Sequence, residues 1–175
     1  IYLSKPLGTG YLFAAYYLNS PLVLSQDIKK LFNFLKLDNQ LAYEAAKNNG
    51  CNTMTDISGF GLASHLGDIC KASNISASIS LNNEILINDN ISILKNIEST
   101  GFANNFQSNS QNLYFKNSNN YEKILYDPQT NGPMLIAIKN DNKEKFEEDF
   151  YNLNQRKPLL IGSFQKKSEK LIIIE

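Results

Sequence analysis

Apolar residues recur at three- and four-residue spacing in some stretches of the chain and at two-residue spacing in others, a mixture of periods that predicts both helices and strands. Ile28, Leu31, Phe32 and Leu35 fall on one face of a helix over residues 26–37. Leu62, Ala63, Leu66, Ile69 and Cys70 do the same in a helix opened by Ser58-Gly59. Asp38 N-caps a helix over residues 39–48 that Gly50 closes. A helix over 142–154 turns Phe146, Phe150 and Leu153 inward, the apolar stretch 11–18 is helical until Ser20-Pro21 interrupts it, and 91–99 forms a helix ended by Gly101. Strands are expected over 1–3, 51–57, 75–81, 134–139, 159–164 and 171–174, the third by its alternation of Ile75, Ala77, Ile79 and Leu81 with polar residues. Residues 103–120 are dominated by Asn, Ser and Gln and predict a long surface loop around one short strand. Strands and helices are interspersed without a strict βαβ period. The expected class is therefore α+β, an α/β sandwich with a mixed sheet and helices packed on one face.

Composition narrows the function. The chain has 175 residues, 42% of them hydrophobic, a length that suits one domain burying roughly 70% of its unfolded surface without help from disulfides or structural metal. Seventeen basic side chains balance seventeen acidic ones, so there is no basic footprint for nucleic acid or an anionic membrane. Cys51 and Cys70 fit neither a disulfide framework nor a zinc pattern and read as reduced, buried hydrophobes. No apolar run approaches the ~20 residues of a membrane span, and a cytoplasmic protein is expected. The acidic run Glu144, Glu147, Glu148, Asp149 reads as a solvated helix face. His65 is the single histidine, which excludes a His-metal cluster and leaves it as a packed helical residue. The chain opens at Ile1, inside an expected strand, so it is expected to be part of a longer one.

Three segments could carry chemistry. In Lys5-Pro6-Leu7-Gly8-Thr9-Gly10, a glycine turn, the Thr9 hydroxyl and the Lys5 ammonium could face a polyphosphate. In Thr55-Asp56-Ile57-Ser58-Gly59-Phe60-Gly61-Leu62, a carboxylate ends an extended stretch just before a helix. The amides of a helix N-terminus seat an anion, and Asp56 is a hard oxygen ligand of the kind magnesium takes beside phosphate. Asp127-Pro128-Gln129-Thr130-Asn131-Gly132-Pro133 is a turn-rich run at the mouth of a buried strand, where polar groups often line sites. Each has a plain alternative: a strand-ending turn, a helix cap and a common Asp-Pro turn.

In their order and wording the three segments resemble the C-terminal half of the selenophosphate synthetase family, within the aminoimidazole ribonucleotide synthetase superfamily. Residues 5–10 match that family's KPLGTG, residues 55–66 resemble TDVTGFGLLGHL, and residues 127–135 resemble DPQTSGGLL. The resemblance implies the C-terminal, nucleotide-closing domain of a longer chain, in which an absent N-terminal domain dimerises and supplies the nucleophile. It implies a reaction taking ATP, selenide and water to selenophosphate, AMP and phosphate with magnesium. It also assigns Asp56 to the metal and Lys5, Gly8, Thr9, Gly10 and Gly59 to the nucleotide. A flavin, FAD, enters only if a dehydrogenase-like module is fused upstream, as the Tyr11-Leu12-Phe13-Ala14-Ala15 continuation suggests. Asn131-Gly132-Pro133 departs from the family's Ser-Gly-Gly, and Pro133 removes a backbone donor there. Two further readings stay open: another ATP-dependent enzyme of the superfamily (a purine cyclo-ligase, a thiamine phosphate kinase or a hydrogenase-maturation factor), and a non-catalytic module that binds a nucleotide or a partner.

Overall fold

The computed structural model describes residues 1–88 and 90–175. The α+β class holds, with the strands divided between two four-stranded sheets. The first is wholly antiparallel, in the order β2 (Thr53–Asp56), β5 (Met134–Ala137), β1 (Tyr2–Leu3), β6 (Leu159–Leu160). The second is mixed, in the order β4 (Leu113–Phe115), β8 (Ile172–Ile174), β3 (Ile75–Ile79), β7 (Gly162–Lys166); β8 runs parallel to both its neighbours.

Alternation along the first sheet sends its side chains into two separate cores. Tyr2, Met134 and Ile136 meet Ala42, Ala45 and Ala46 of α3 (Gln40–Asn48) and Phe146 and Phe150 of α7 (Lys143–Asn154). Leu3 and Leu135, pointing the other way, join the main core. The three alanines of α3 let it lie close to the sheet. Tyr2 and Phe146 meet edge to face at 5.0 Å. The main core gathers α1 (Thr9–Tyr17), α2 (Ser25–Leu35) and α4 (Gly61–Ser73) with the inward residues Ala77, Ile79, Ile172 and Ile174 of the second sheet.

Several expected details shift. In α2 the buried aromatic is Phe34, and Phe32 stands half exposed. Leu153, expected inward, lies outside in the last turn of α7, just before left-handed Gln155 ends the helix. The cap of α3 comes from Asp38, whose Oδ1 accepts from Gln40 N at 2.9 Å, although the helix boundary falls at Asn39. The helix expected over 91–99 is α5 (Ile91–Asn96). The stretch expected as one strand over 159–164 is two, β6 and β7, in different sheets. Ile161 is the crossing point: its N–H donates to Ile1 O on one side, and its carbonyl accepts from Ser80 N on the other.

The largest difference is at residues 103–120. A helix, α6 (Phe102–Asn109), and a 3-10 turn replace most of the expected loop, while β4 is the short strand expected within it. Asparagine is a poor helix former in isolation, but here it is held by its side chains: Asn105 Nδ2 donates to Gly59 O at 2.9 Å and to Tyr126 O at 3.0 Å. Phe102 and Phe106 both pack edge-on against Tyr126.

Candidate functional site

The three motif segments meet, and they meet through one another's backbones. Helix α1 begins inside the first segment, at Thr9, with Gly8 at φ 127° before it. Its exposed donors would ordinarily be free for an anion. Here Gln129 Oε1 accepts from Gly8 N at 2.9 Å and Thr9 N at 3.2 Å, and Asp127 Oδ2 accepts from Gly10 N at 3.1 Å. Thr9 Oγ1 in turn accepts from Thr130 N at 2.8 Å. The glycine turn expected to cradle a polyphosphate is thus closed by the protein's own Asp127 and Gln129. Lys5 is likewise turned inward. It is 1% exposed, its Nζ donates to Leu37 O, and it lies 4.7 Å from the centre of the Phe34 ring. Burial lowers its pKa to about 8.

Asp127 itself is buried and accepts from Ser99 Oγ at 2.6 Å and Gln129 Nε2 at 2.9 Å as well as from Gly10 N. Burial pushes its pKa up to about 7 against these donors. Sequence reading placed the segment at the mouth of the strand but not Asp127 and Gln129 as the cap of α1. Nothing in a local pattern pairs residues 120 positions apart.

The second turn, from β2 into α4, is open. Asp56 ends β2, an edge strand, with an exposed side chain that makes no hydrogen bond or ion pair among the described residues. Ile57 is buried and donates to Pro133 O at 2.8 Å. Ser58 O accepts from Gln129 N and Gly61 N, and Ser58 N donates to His65 Nε2 at 3.2 Å. The next two amides, of Gly59 and Phe60, have no acceptor among the described residues. A Cβ built on Gly59 would meet nothing within 4 Å. The glycine that the backbone requires here is Gly61, at φ 75°, where a Cβ would come 2.8 Å from Leu125 O. Of the two glycine turns, then, one is capped from within and the other presents free donors beside a free carboxylate.

The departure from the family's Ser-Gly-Gly has a geometric resolution. Asn131 adopts a left-handed φ of 48° and donates through Nδ2 to Leu35 O and Leu37 O. The close approach is made by Gly132, where a Cβ would collide with Ile57 O. Pro133 contributes its carbonyl, which needs no N–H of its own.

Two open clefts lie nearby. One of about 530 Å³ is bounded by Gly10, Phe13, Tyr17, Ser99, Pro128 and Thr130, and one of about 540 Å³ by Phe102, Phe106, Tyr126, Glu98, Glu122 and Lys123. Asp56 lines neither, standing on open surface. Among the described residues no three His, Cys, Asp or Glu side chains converge to hold a metal, so Asp56 could furnish one ligand of a metal, not a whole shell. No described helix is long and apolar enough to cross a membrane.

Comparison with known proteins places these features in a family. The selenide, water dikinase of Shewanella sp. (strain MR-4) is 29% identical over 166 residues, covering 94% of this chain and 46% of that protein. The chain spans about half the length of the curated relatives it matches. Among solved structures, a thiamine-monophosphate kinase from Stenotrophomonas maltophilia K279a superposes with a TM-score of 0.67 at 13% identity, over 99% of this chain and 49% of that one. Hydrogenase maturation protein HypE in complex with ATP superposes with a TM-score of 0.62 at 11% identity, over 99% and 46%. At such identities these two share the fold alone. The family described as AIR synthase related protein, C-terminal domain, matches residues 19–172, and the chain belongs to that family.

Proposed function

We propose that the chain is the C-terminal domain of a selenophosphate synthetase, and that within the longer protein it helps bind magnesium-ATP for the conversion of ATP, selenide and water to selenophosphate, AMP and phosphate. The observation that carries this reading is the open turn at Asp56. An unpaired carboxylate stands beside the unpaired amides of Gly59 and Phe60 at the start of α4, where the helix dipole adds partial positive charge. Oxygen donors of this kind suit magnesium, which takes one or two protein carboxylates and completes its shell with water and substrate phosphates. The metal would neutralise charge on the transferring phosphoryl group. Asp56 is the residue of this chain that would hold it, and the two free amides would orient a phosphate next to it.

The name of the Shewanella relative and the three shared segments support the substrate assignment. Fold likeness to a thiamine-monophosphate kinase and to an ATP-bound maturation protein supports ATP as the common element. On this reading the site is completed by the N-terminal half of the protein, which would bring the nucleophile, the remaining carboxylates and a homodimer contact. Lys5, Gly8, Thr9 and Gly10 then act at one remove, by fixing α1 and the Asp127–Pro133 turn on which the Asp56 turn rests. Phosphorus NMR of ATP consumption by the full-length protein with magnesium, with and without selenide, tests the proposal. It predicts selenide-dependent AMP, phosphate and a phosphorus–selenium signal. Conversion to ADP, or the absence of any selenide dependence, would overturn it.

A further inference from the structure

We propose that His65 is the positioning residue of the Asp56 turn, acting as a neutral acceptor that holds Ser58 and so keeps the amides of Gly59 and Phe60 free; this rests on the functional reading above. His65 lies at the start of the second turn of α4, yet its Nε2 is 3.2 Å from Ser58 N and 3.2 Å from Ser58 Oγ. A backbone N–H can only donate, so Nε2 is an acceptor and the ring proton of the neutral imidazole sits on Nδ1.

The turn is pinned from several sides. Ile57 N donates to Pro133 O, Ser58 O accepts from Gln129 N, and Gly59 O accepts from Asn105 Nδ2. All of these anchors come from other segments. Within the segment itself the Gly61 N–H, at the start of α4, donates to Ser58 O, and His65 from the same helix takes the amide that immediately precedes the two free ones. If Ser58 N lost this acceptor it would compete for the ligand expected at Gly59 and Phe60, or rotate the turn to find another partner, because an unmet N–H is costly. Phe60, 65% exposed, places its ring 6.4 Å from the imidazole.

The placement also explains why a histidine can sit here without being a base in the reaction. Its acceptor lone pair is engaged by the backbone. Its partner Ser58 lies two residues from Asp56, and the imidazole makes no hydrogen bond to that carboxylate among the described residues.

The test uses the full-length protein and two variants. His65→Gln carries an amide oxygen to about the position of Nε2 and keeps an acceptor; His65→Leu fills similar space without one. Three quantities are read: deuterium uptake of the peptide spanning Ser58 to Gly61, the affinity for magnesium-ATP, and the thermal midpoint. The expected result is faster exchange and about tenfold weaker magnesium-ATP binding in His65→Leu, the scale of one hydrogen bond, with both within threefold of wild type in His65→Gln. Wild-type exchange and affinity in His65→Leu would overturn the proposal. So would equal losses in both variants with unchanged thermal midpoints. If the wild-type protein binds no magnesium-ATP, the functional reading fails, while the exchange of the Ser58 peptide still decides whether His65 positions the turn.

Discussion

Asp127 and Gly10 lie so close that a Cβ on the glycine would stand 2.5 Å from the carboxylate's Oδ1, while Oδ2 accepts the Gly10 N–H at 3.1 Å. The two residues belong to motifs 117 positions apart, and their contact is what closes the first glycine turn. Gly10→Ala is therefore expected to destabilise the protein by about 1–3 kcal/mol through overpacking, and Gly132→Ala, whose Cβ would strike Ile57 O, by at least as much. Urea unfolding of each variant measures this; a wild-type midpoint for either would contradict the interlocking.

The glycines of the open turn should part company. Gly61→Ala meets both a positive φ and Leu125 O and should cost stability on a similar scale. Gly59→Ala, with open space around it, should stay within about 0.5 kcal/mol of wild type. A methyl group there would instead crowd whatever approaches the Gly59 amide, so its effect should be found in the magnesium-ATP affinity and not in the unfolding midpoint. Unfolding by heat or urea together with nucleotide titration separates the two.

Burial raises the Asp127 pKa from its ordinary 3.8 to about 7. An acid whose folded-state pKa is raised contributes stability fully below its unfolded value and loses it as pH rises through the folded one. Stability from this group should accordingly be present below about pH 4 and decline toward pH 7. In Asp127→Asn, which cannot ionise, that decline should vanish from the urea midpoint measured across the same range. An unchanged slope would show that Asp127 does not titrate there.

His65 has the opposite sign. Burial lowers its pKa below the ordinary 6.5, although Asp56 and Asp68 oppose the shift. A base lowered in the folded state contributes stability above its unfolded pKa and loses it as pH falls through the folded value. Wild-type protein should therefore lose stability on acidification below pH 6.5 in a way that His65→Gln does not. Equal acid sensitivity in the two proteins would contradict a neutral His65.

The amphipathic helices were legible because their burial is periodic: α3, α4 and α7 fall within a few residues of where their patterns place them. What escaped was held by long-range polar contacts. Helix α6 is built on buried Asn105 and Asn109, residue types that read as loop until their side chains find partners, Asn105 in Gly59 O and Tyr126 O and Asn109 in Asn105 O. The start of α1 escaped for the same reason, since its cap comes from Asp127 and Gln129. The candidate site divided likewise. Asp56 and its turn could be picked out from a carboxylate preceding a helix. That the Lys5–Gly10 turn would be closed, and Lys5 buried against Phe34, depended on segments far away in sequence.

The central claim is that Asp56 holds the metal of the nucleotide, and it is tested most directly by the magnesium dependence of ATP turnover in full-length Asp56→Asn. The side chain is exposed and unpaired, so the fold should survive, as circular dichroism and the unfolding midpoint will report. Turnover should fall by about a hundredfold or more, the scale of losing several kcal/mol of charge stabilisation. Wild-type turnover with an unchanged magnesium dependence would contradict the account.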